Sequence, residues 1–373
     1  MVNPFWQRIK QVDWLVFAAI FFLVAMGLII IYGISINPVT PDISLFRKQL
    51  VYVLVGFLVF FMLSNVNYRA WSVYSKVIYL FFFLLLLGVL FFGTTIRGTK
   101  GWISLGFMTL QPVEFAKIGL IIFLAKYFSD HGRHFFFWFY IIVSGVATGA
   151  YIALVLKQPD LGSAMVLLGT WFLMLLIIGV PRRHLMILVG GFLIVCVVAW
   201  ALILKPYQKD RIMTFLNPQA NTLGVGYNVR QSVISVGSGQ VFGRGFGLGS
   251  QSQLKFLPAA ETDFIFAVLA EEFGFLGVIF LFTGLLILII RLIVIARQTS
   301  DNFVVFFCLG LASLLTVQIF INIGMNMGIA PVTGIPLPFI SSGGSSLLSL
   351  FIAFGVISSV VADNRTLHAG NVV

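Results

Sequence analysis

Charge is scarce in this chain. Only 9% of its 373 residues are Asp, Glu, Lys or Arg and 60% are hydrophobic, which leaves too little polar surface to cover a soluble globule. Acids are scarcer still, with 12 Asp and Glu against 23 Lys and Arg. Cysteine is nearly absent: Cys196 and Cys308 both fall in apolar runs, so a disulfide framework is excluded and each reads as a small apolar side chain. The histidines His131, His134, His184 and His368 all fall toward one predicted side of the membrane and form no dense ligand set. A zinc site is therefore not expected, and a metal here would be a hard cation such as Mg²⁺ held by carboxylates and phosphates. No soluble domain remains to bind nucleic acid, which excludes that partner.

Uninterrupted apolar sequence is what the chain has instead. The mean hydropathy is +1.06, and apolar runs long enough to cross a bilayer recur from end to end. The pattern predicts an all-α integral membrane protein of about ten transmembrane helices. They are placed at 14–36, 49–66, 74–93, 111–128, 134–156, 162–180, 185–204, 263–297, 303–325 and 343–361. The first run follows Arg8 and Lys10 but exceeds a signal-peptide core and lacks a small-residue cleavage site, so it is read as a retained helix. With the N-terminus inside, the inner ends carry Arg8, Lys10, Arg69, Lys76, Lys126, Arg133, Arg182, Arg183, Arg291, Arg297 and Arg365. The short outer loops carry Arg47, Lys48, Arg97, Lys100 and Lys157. That excess predicts both termini on the cytoplasmic side.

The whole of 1–373 reads as one polytopic domain, in which 205–262 forms a large extracytoplasmic loop between spans seven and eight. Lys205, Lys209, Arg211, Arg230, Arg244 and Lys255 make that loop basic. A long loop translocates whatever its charge, but such a surface also suits an anionic lipid headgroup or pyrophosphate. Within it, Gly237 to Ser250 contains six glycines and Arg244. This stretch reads first as a flexible loop and second as a phosphate cradle.

Acids in such a chain are functional candidates, because a carboxylate within a bilayer costs roughly 2.5–3.5 kcal/mol on insertion scales. Asp263 stands at the start of span eight, either as a helix cap or as a catalytic group. Uncharged residues run from Phe273 to Ile290. A continuous helix would therefore lift Asp263 about 15 Å above Phe273, at the outer headgroup layer. Glu271 and Glu272 then lie near that interface, Glu271 nearer the side of Asp263, supporting a cavity or a metal or merely marking the boundary. Glu114 and Lys117 fall on one face of span four and read as a self-neutralising ion pair that lines a polar cavity. Asp160 precedes span six, as its cap or as a ligand. Between spans nine and ten, Pro331 to Ser345 holds three prolines and three glycines. No continuous helix survives there, and a re-entrant segment is expected.

These segments together resemble the SEDS family (shape, elongation, division and sporulation) of bacterial multispanning peptidoglycan glycosyltransferases. The resemblance covers essentially the whole chain. It rests on Gln111-Pro-Val-Glu-Phe-Ala-Lys117, Gln158-Pro-Asp-Leu-Gly162, Gly243-Arg-Gly-Phe-Gly247 with Gln251-Ser-Gln-Leu254, Thr262-Asp-Phe-Ile-Phe-Ala-Val-Leu-Ala-Glu-Glu272 and Pro336-Leu-Pro-Phe-Ile340. Asn322-Ile-Gly-Met-Asn326 and Pro331-Val-Thr-Gly334 resemble its elongation, RodA-type branch more than its division branch. The resemblance implies polymerisation of lipid II into glycan strands at the outer face of the bacterial cytoplasmic membrane, with release of undecaprenyl diphosphate. Asp263 would be the base or a metal-positioning acid. Glu114, Lys117 and Asp160 would shape the substrate cavity, and Lys100, Arg211 and Arg244 would contact the pyrophosphate. A divalent cation, Mg²⁺ or Mn²⁺, is the implied cofactor. Implied partners are the growing glycan strand, a class B penicillin-binding protein for crosslinking, and the rest of the elongation machinery.

The chain departs from the family pattern at three places. Gly101 stands before Trp102 where Arg is usual, Asn221 to Asn228 loses an acid, and Ser342 replaces a frequent Tyr. Two other functions share much of the pattern, a lipid II flippase and a noncatalytic scaffold. Polar residues and a broken segment suit transport, but no inverted repeat is seen and the acids gather outside the midplane.

Overall fold

The computed structural model of the chain describes residues 12–36, 42–96, 98–104, 109–131, 137–198 and 224–370, with Gly106, Trp200, Ala201, Lys209, Met213 and Phe215. The described chain is a helical bundle. In order come α1 (Trp14–Ser35), α2 (Ser44–Ser64), the short α3 (Arg69–Val73), α4 (Ser75–Phe92), α5 (Pro112–His131), α6 (Phe137–Lys157), α7 (Leu161–Ile178) and α8 (Arg182–Val198). Then follow α9 (Val225–Ser238), α10 (Ser250–Gln253), α11 (Ile265–Gln298), α12 (Asn302–Asn326) and α13 (Gly344–Gly370). Eight of these, α1, α2, α4, α6, α7, α11, α12 and α13, are long and apolar enough to cross a membrane. The other two expected spans fall on α5, which carries charge, and on α8, which has 17 described residues.

Aspartates start several helices. Asp13 accepts from the Leu15 and Val16 amides (3.2 and 3.3 Å), Asp160 from Ser163 (2.9 Å) and Asp301 from Phe303 (2.9 Å), each satisfying amides that an open helix end leaves unpaired. Within the bundle α12 and α13 are the most buried spans, and α4 and α2 the least. Helix α13 packs along α2, α11 along α12 and α1, and α5 against α4 and α12. The all-α expectation omits one small sheet, in which β1 (Thr94–Ile96), β2 (Thr99–Ser104) and β3 (Thr109–Leu110) pair antiparallel between α4 and α5. Its strands are rich in Thr and Ile, which favour extended backbone.

Helix α11 is not the continuous rod that the uncharged run predicts. At Gly274 the backbone leaves the helix (φ 64°, ψ −161°), and the glycine-rich segment fills the gap. The Phe275 and Leu276 amides donate to Gln240 O and Val241 O (2.9 and 3.1 Å), while the Glu271 and Glu272 carbonyls accept from Arg244 N and Gly245 N (2.9 and 3.0 Å). The two helical bonds that would join Phe275 N to Glu271 O and Leu276 N to Glu272 O are thus each replaced at both ends by bonds to the loop. The segment acts as a structural plug whose Arg244 and Gly245 amides are committed to helix carbonyls, because a buried backbone group left unpaired is costly.

Glycine is required where the two backbones touch. A Cβ at Gly243, whose φ is +79°, would lie 2.1 Å from Glu272 O, and one at Gly239 would lie 1.8 Å from Ala270 O. Replacing Gly243 by Ala adds left-handed strain to overpacking and is expected to cost at least about 2 kcal/mol. A clearly lowered Tm of the detergent-solubilised variant checks this, and an unchanged Tm would mean that the plug is not rigid.

Between α12 and α13 the chain is irregular from Pro331 to Gly343, yet Ile335, Leu337, Phe339 and Ile340 are all at most 3% exposed. Non-helical backbone is here sheltered by protein, as the re-entrant expectation requires. Part of the expected outer loop is also folded: α9 packs on α11 and α12, and Ser232 Oγ donates to Asn326 O (2.8 Å).

Candidate active site

Asp263 lies just outside α11. The cap position belongs to Phe264, which makes no side-chain cap bond, so Asp263 is not the helix cap that local sequence allows. It sits instead in a tight turn in which the Thr262, Asp263 and Phe264 amides converge on Ala259 O (3.1, 3.1 and 3.3 Å). Its backbone carbonyl accepts from the side-chain amides of Asn322 (3.2 Å) and Asn326 (3.0 Å) on α12.

The turn is stitched to the irregular segment ahead of α13. Ser341 Oγ donates to Thr262 O (2.7 Å), Ser342 N to Glu261 O (2.9 Å), and Leu337 N to Ser341 Oγ (2.8 Å). Between them opens a cavity of about 170 Å³ whose walls include Asp263, Asp160, Thr262, Thr333, Gly334, Ser342 and Ser345, with Thr99 and Trp102 from β2. Gly334 (φ +76°) lies against the Asp263 carboxylate, where a Cβ would stand 3.5 Å from Oδ2. Glycine holds that left-handed backbone without strain beside the carboxylate.

Asp160 enters the same cavity from the start of α7. Its carboxylate accepts from Ser163 N (2.9 Å), Ser163 Oγ (2.8 Å) and Gln111 Nε2 (3.3 Å). Desolvation by the surrounding protein pushes the Asp160 carboxyl above its ordinary range, against the lowering effect of the Ser163 bonds and of Lys117. Gln111 N in turn donates to Ser345 Oγ (2.8 Å), which ties the α5 entrance to the α13 entrance. Two carboxylates far apart in sequence therefore share one polar chamber in an otherwise apolar molecule.

Over residues 13–366 the chain matches the family model for cell cycle proteins of the FtsW, RodA and SpoVE type. The chain belongs to this family. It is 36% identical over 358 residues to stage V sporulation protein E of Bacillus subtilis, covering 92% of this chain and 95% of that one. It is 31% identical over 377 residues to the peptidoglycan glycosyltransferase MrdB of Escherichia coli K12, covering 98% and 97%. Among solved structures, a chain of a peptidoglycan synthase complex that coordinates polymerization and crosslinking superposes with a TM-score of 0.78 at 31% identity, covering 95% of this chain and 98% of that one. The crystal structure of the rod shape determining protein RodA of Thermus thermophilus gives 0.71 at 30% identity, covering 95% and 97%.

Family membership draws attention to particular residues, and the fold sorts them. Asp263 and Asp160 meet in the cavity. Glu114 and Lys117 do not line it: they form a buried pair (2.7 Å) on α5, close enough to Asp160 for their charges to act on it. Arg244 is also away from the cavity, with its exposed guanidinium donating to Ser250 Oγ (3.0 Å), because its backbone is committed to the α11 plug. Lys100 is half-buried on β2 beside the lining residues Thr99 and Trp102 but is not itself a lining residue. Arg211 and Asn221 lie outside the described residues.

Glu271 and Glu272 are fully buried under the plug rather than facing the cavity, Glu271 accepting from Gln251 N (2.9 Å). At Gly101 a side chain would meet Gln158 Oε1 at 3.2 Å, so the missing Arg leaves a tight contact rather than a gap. Sequence reasoning passed over Gln111, Asn322 and Asn326 as single residues. The Asn pair had a signal, two amides one helical turn apart in a long apolar run.

Among the described residues no group of three or more His, Cys, Asp or Glu is placed to hold a metal alone. The cavity supplies two hard carboxylates, Asp160 and Asp263, and that set suits Mg²⁺ or Mn²⁺ only if substrate phosphates and water complete the shell.

Proposed function

We propose that this chain is a peptidoglycan glycosyltransferase that polymerises lipid II at the outer face of the bacterial cytoplasmic membrane during cell elongation. Both termini are then cytoplasmic, and the partner is a crosslinking class B penicillin-binding protein. The observation that carries the reading is Asp263, held by its backbone carbonyl and amide at the wall of a cavity that it shares with Asp160. Relatives named as peptidoglycan glycosyltransferases and a structural neighbour from a peptidoglycan synthase complex support it.

In this reading the Asp263 carboxylate takes the proton from the acceptor sugar hydroxyl as that oxygen bonds to the anomeric carbon of the donor. The bond from that carbon to the diphosphate breaks in the same step, and its electron pair leaves with undecaprenyl diphosphate. Such a single displacement inverts the anomeric centre and needs no covalent enzyme intermediate. In the alternative role for Asp263, it and Asp160 would hold a divalent cation that neutralises the departing diphosphate, and the proton would pass to another base. Lys100 and Arg211 are the chain's own candidates for that charge, while Lys117 sets the field at Asp160 from behind.

The test is incubation of the purified chain with fluorescent lipid II and Mg²⁺ or Mn²⁺, with and without the partner, and separation of products on a gel. A ladder of glycan strands is expected. No ladder from folded protein under any of these conditions would move the function to transport or scaffolding.

A further inference from the structure

The geometry points to Asn326 and Asn322 as positioning residues for Asp263. In a helix running through this segment, the Ala267 amide would donate to the Asp263 carbonyl. Here the Ala267 amide turns instead to Phe264 O (3.0 Å) and, at greater length, to Asn326 Oδ1 (3.3 Å), while Asn326 Nδ2 donates to Asp263 O (3.0 Å). One side chain from α12 thus gives the Asp263 carbonyl a donor in place of the Ala267 amide, which is spent on Phe264 O. Asn322, one turn earlier on α12, spans the cavity's two walls, donating to Asp263 O (3.2 Å) and to Ile335 O (2.7 Å). Ile335 follows Gly334, the residue that abuts the Asp263 carboxylate.

The clamp is itself held from several sides. Asn326 Nδ2 also donates to Asn322 O (2.8 Å), and Ser232 Oγ on α9 donates to both Asn326 O (2.8 Å) and Asn326 Oδ1 (3.2 Å). Asn322 and Asn326 are both fully buried. Neither lines the cavity, so neither touches substrate, and their action on the reaction passes through the orientation of Asp263 and the spacing of the two walls. Misplacement of a reacting group by about 1 Å can cost about a hundredfold in rate.

The inference rests on the glycosyltransferase reading, and the test separates the two. Full-length Asn326→Asp, Asn326→Leu and Asn322→Leu are compared with wild type, alongside its partner, on fluorescent lipid II. Asn326→Asp keeps the size and replaces the amide donor by an ionisable carboxyl, and Asn326→Leu removes both donor and acceptor without adding charge. Expected is a kcat lower by about 10–100-fold, with KM within about threefold because substrate contacts are untouched. Hydrogen exchange of the peptide 260–267 should quicken while that of the α12 core is unchanged. Wild-type kcat and exchange in Asn326→Asp and Asn326→Leu would overturn the inference. So would an activity loss that merely tracks the folded fraction measured by Tm and gel filtration. If wild type makes no polymer, the enzyme reading fails, and the exchange of 260–267 still decides whether the clamp holds the turn.

Discussion

Asp263→Asn is expected to abolish lipid II polymerisation while leaving the fold intact. The asparagine occupies the same space, and the backbone contacts of residue 263, its carbonyl to Asn322 and Asn326 and its amide to Ala259 O, are kept. What is lost is the carboxylate at the cavity wall. A positioned general base contributes about 10²–10⁴-fold, so strand synthesis should fall by at least about a hundredfold, with Tm unchanged. Quantified glycan ladders over a time course measure this. Retention of more than about a tenth of the wild-type rate would place the proton transfer elsewhere, since a loss that small is below any normal general-base contribution.

The second large effect is expected on stability. Lys117 and Glu114 are about as buried as any side chains here, at 1% and 4% exposure, and their ion pair lies on α5, a helix that packs against α4 and α12. Lys117→Met strands a buried carboxylate, and such a break costs about 3–5 kcal/mol. Glu114→Gln strands the ammonium with a comparable loss. The double variant should recover most of it, because a neutral, packed pair has no desolvation penalty to offset. Melting of the three variants in detergent checks the pattern, and additive losses in the double variant would refute the pairing. A second consequence reaches the cavity. Lys117 lowers the Asp160 pKa, so Lys117→Met raises it further and shifts toward higher pH any step that needs Asp160 ionised. Glu114→Gln removes a charge that raises the Asp160 pKa and should shift that limb the other way.

How much of this was legible beforehand differs by element. Spans such as α1, α7 and α12 could be placed from apolarity, because a helix in lipid must satisfy its own backbone and so announces itself as a long uncharged run. The break at Gly274 was not legible. The run from Phe273 to Ile290 reads as one helix, and only the loop carbonyls of Gln240 and Val241, more than thirty positions away, make a break tolerable. Arg244 illustrates the same limit, since its charge suited a phosphate while its backbone had a structural task. For Glu114 and Lys117 the pairing was readable from their spacing, but not whether the pair lined the cavity or lay behind it.

By itself, then, the sequence determined that this is a multispanning membrane protein of a recognisable family, with Asp263 and Asp160 among its few acids. Local hydropathy and ordered motifs carry that information along the chain. Only the tertiary structure decided that these two acids share one chamber, that Gly334 stands beside the Asp263 carboxylate, and that two asparagines of α12 donate to the Asp263 carbonyl. Those outcomes depend on hydrogen bonds between segments up to hundreds of residues apart, such as Gln111 N to Ser345 Oγ across 234 positions, and no local pattern encodes which distant amide will meet which carbonyl.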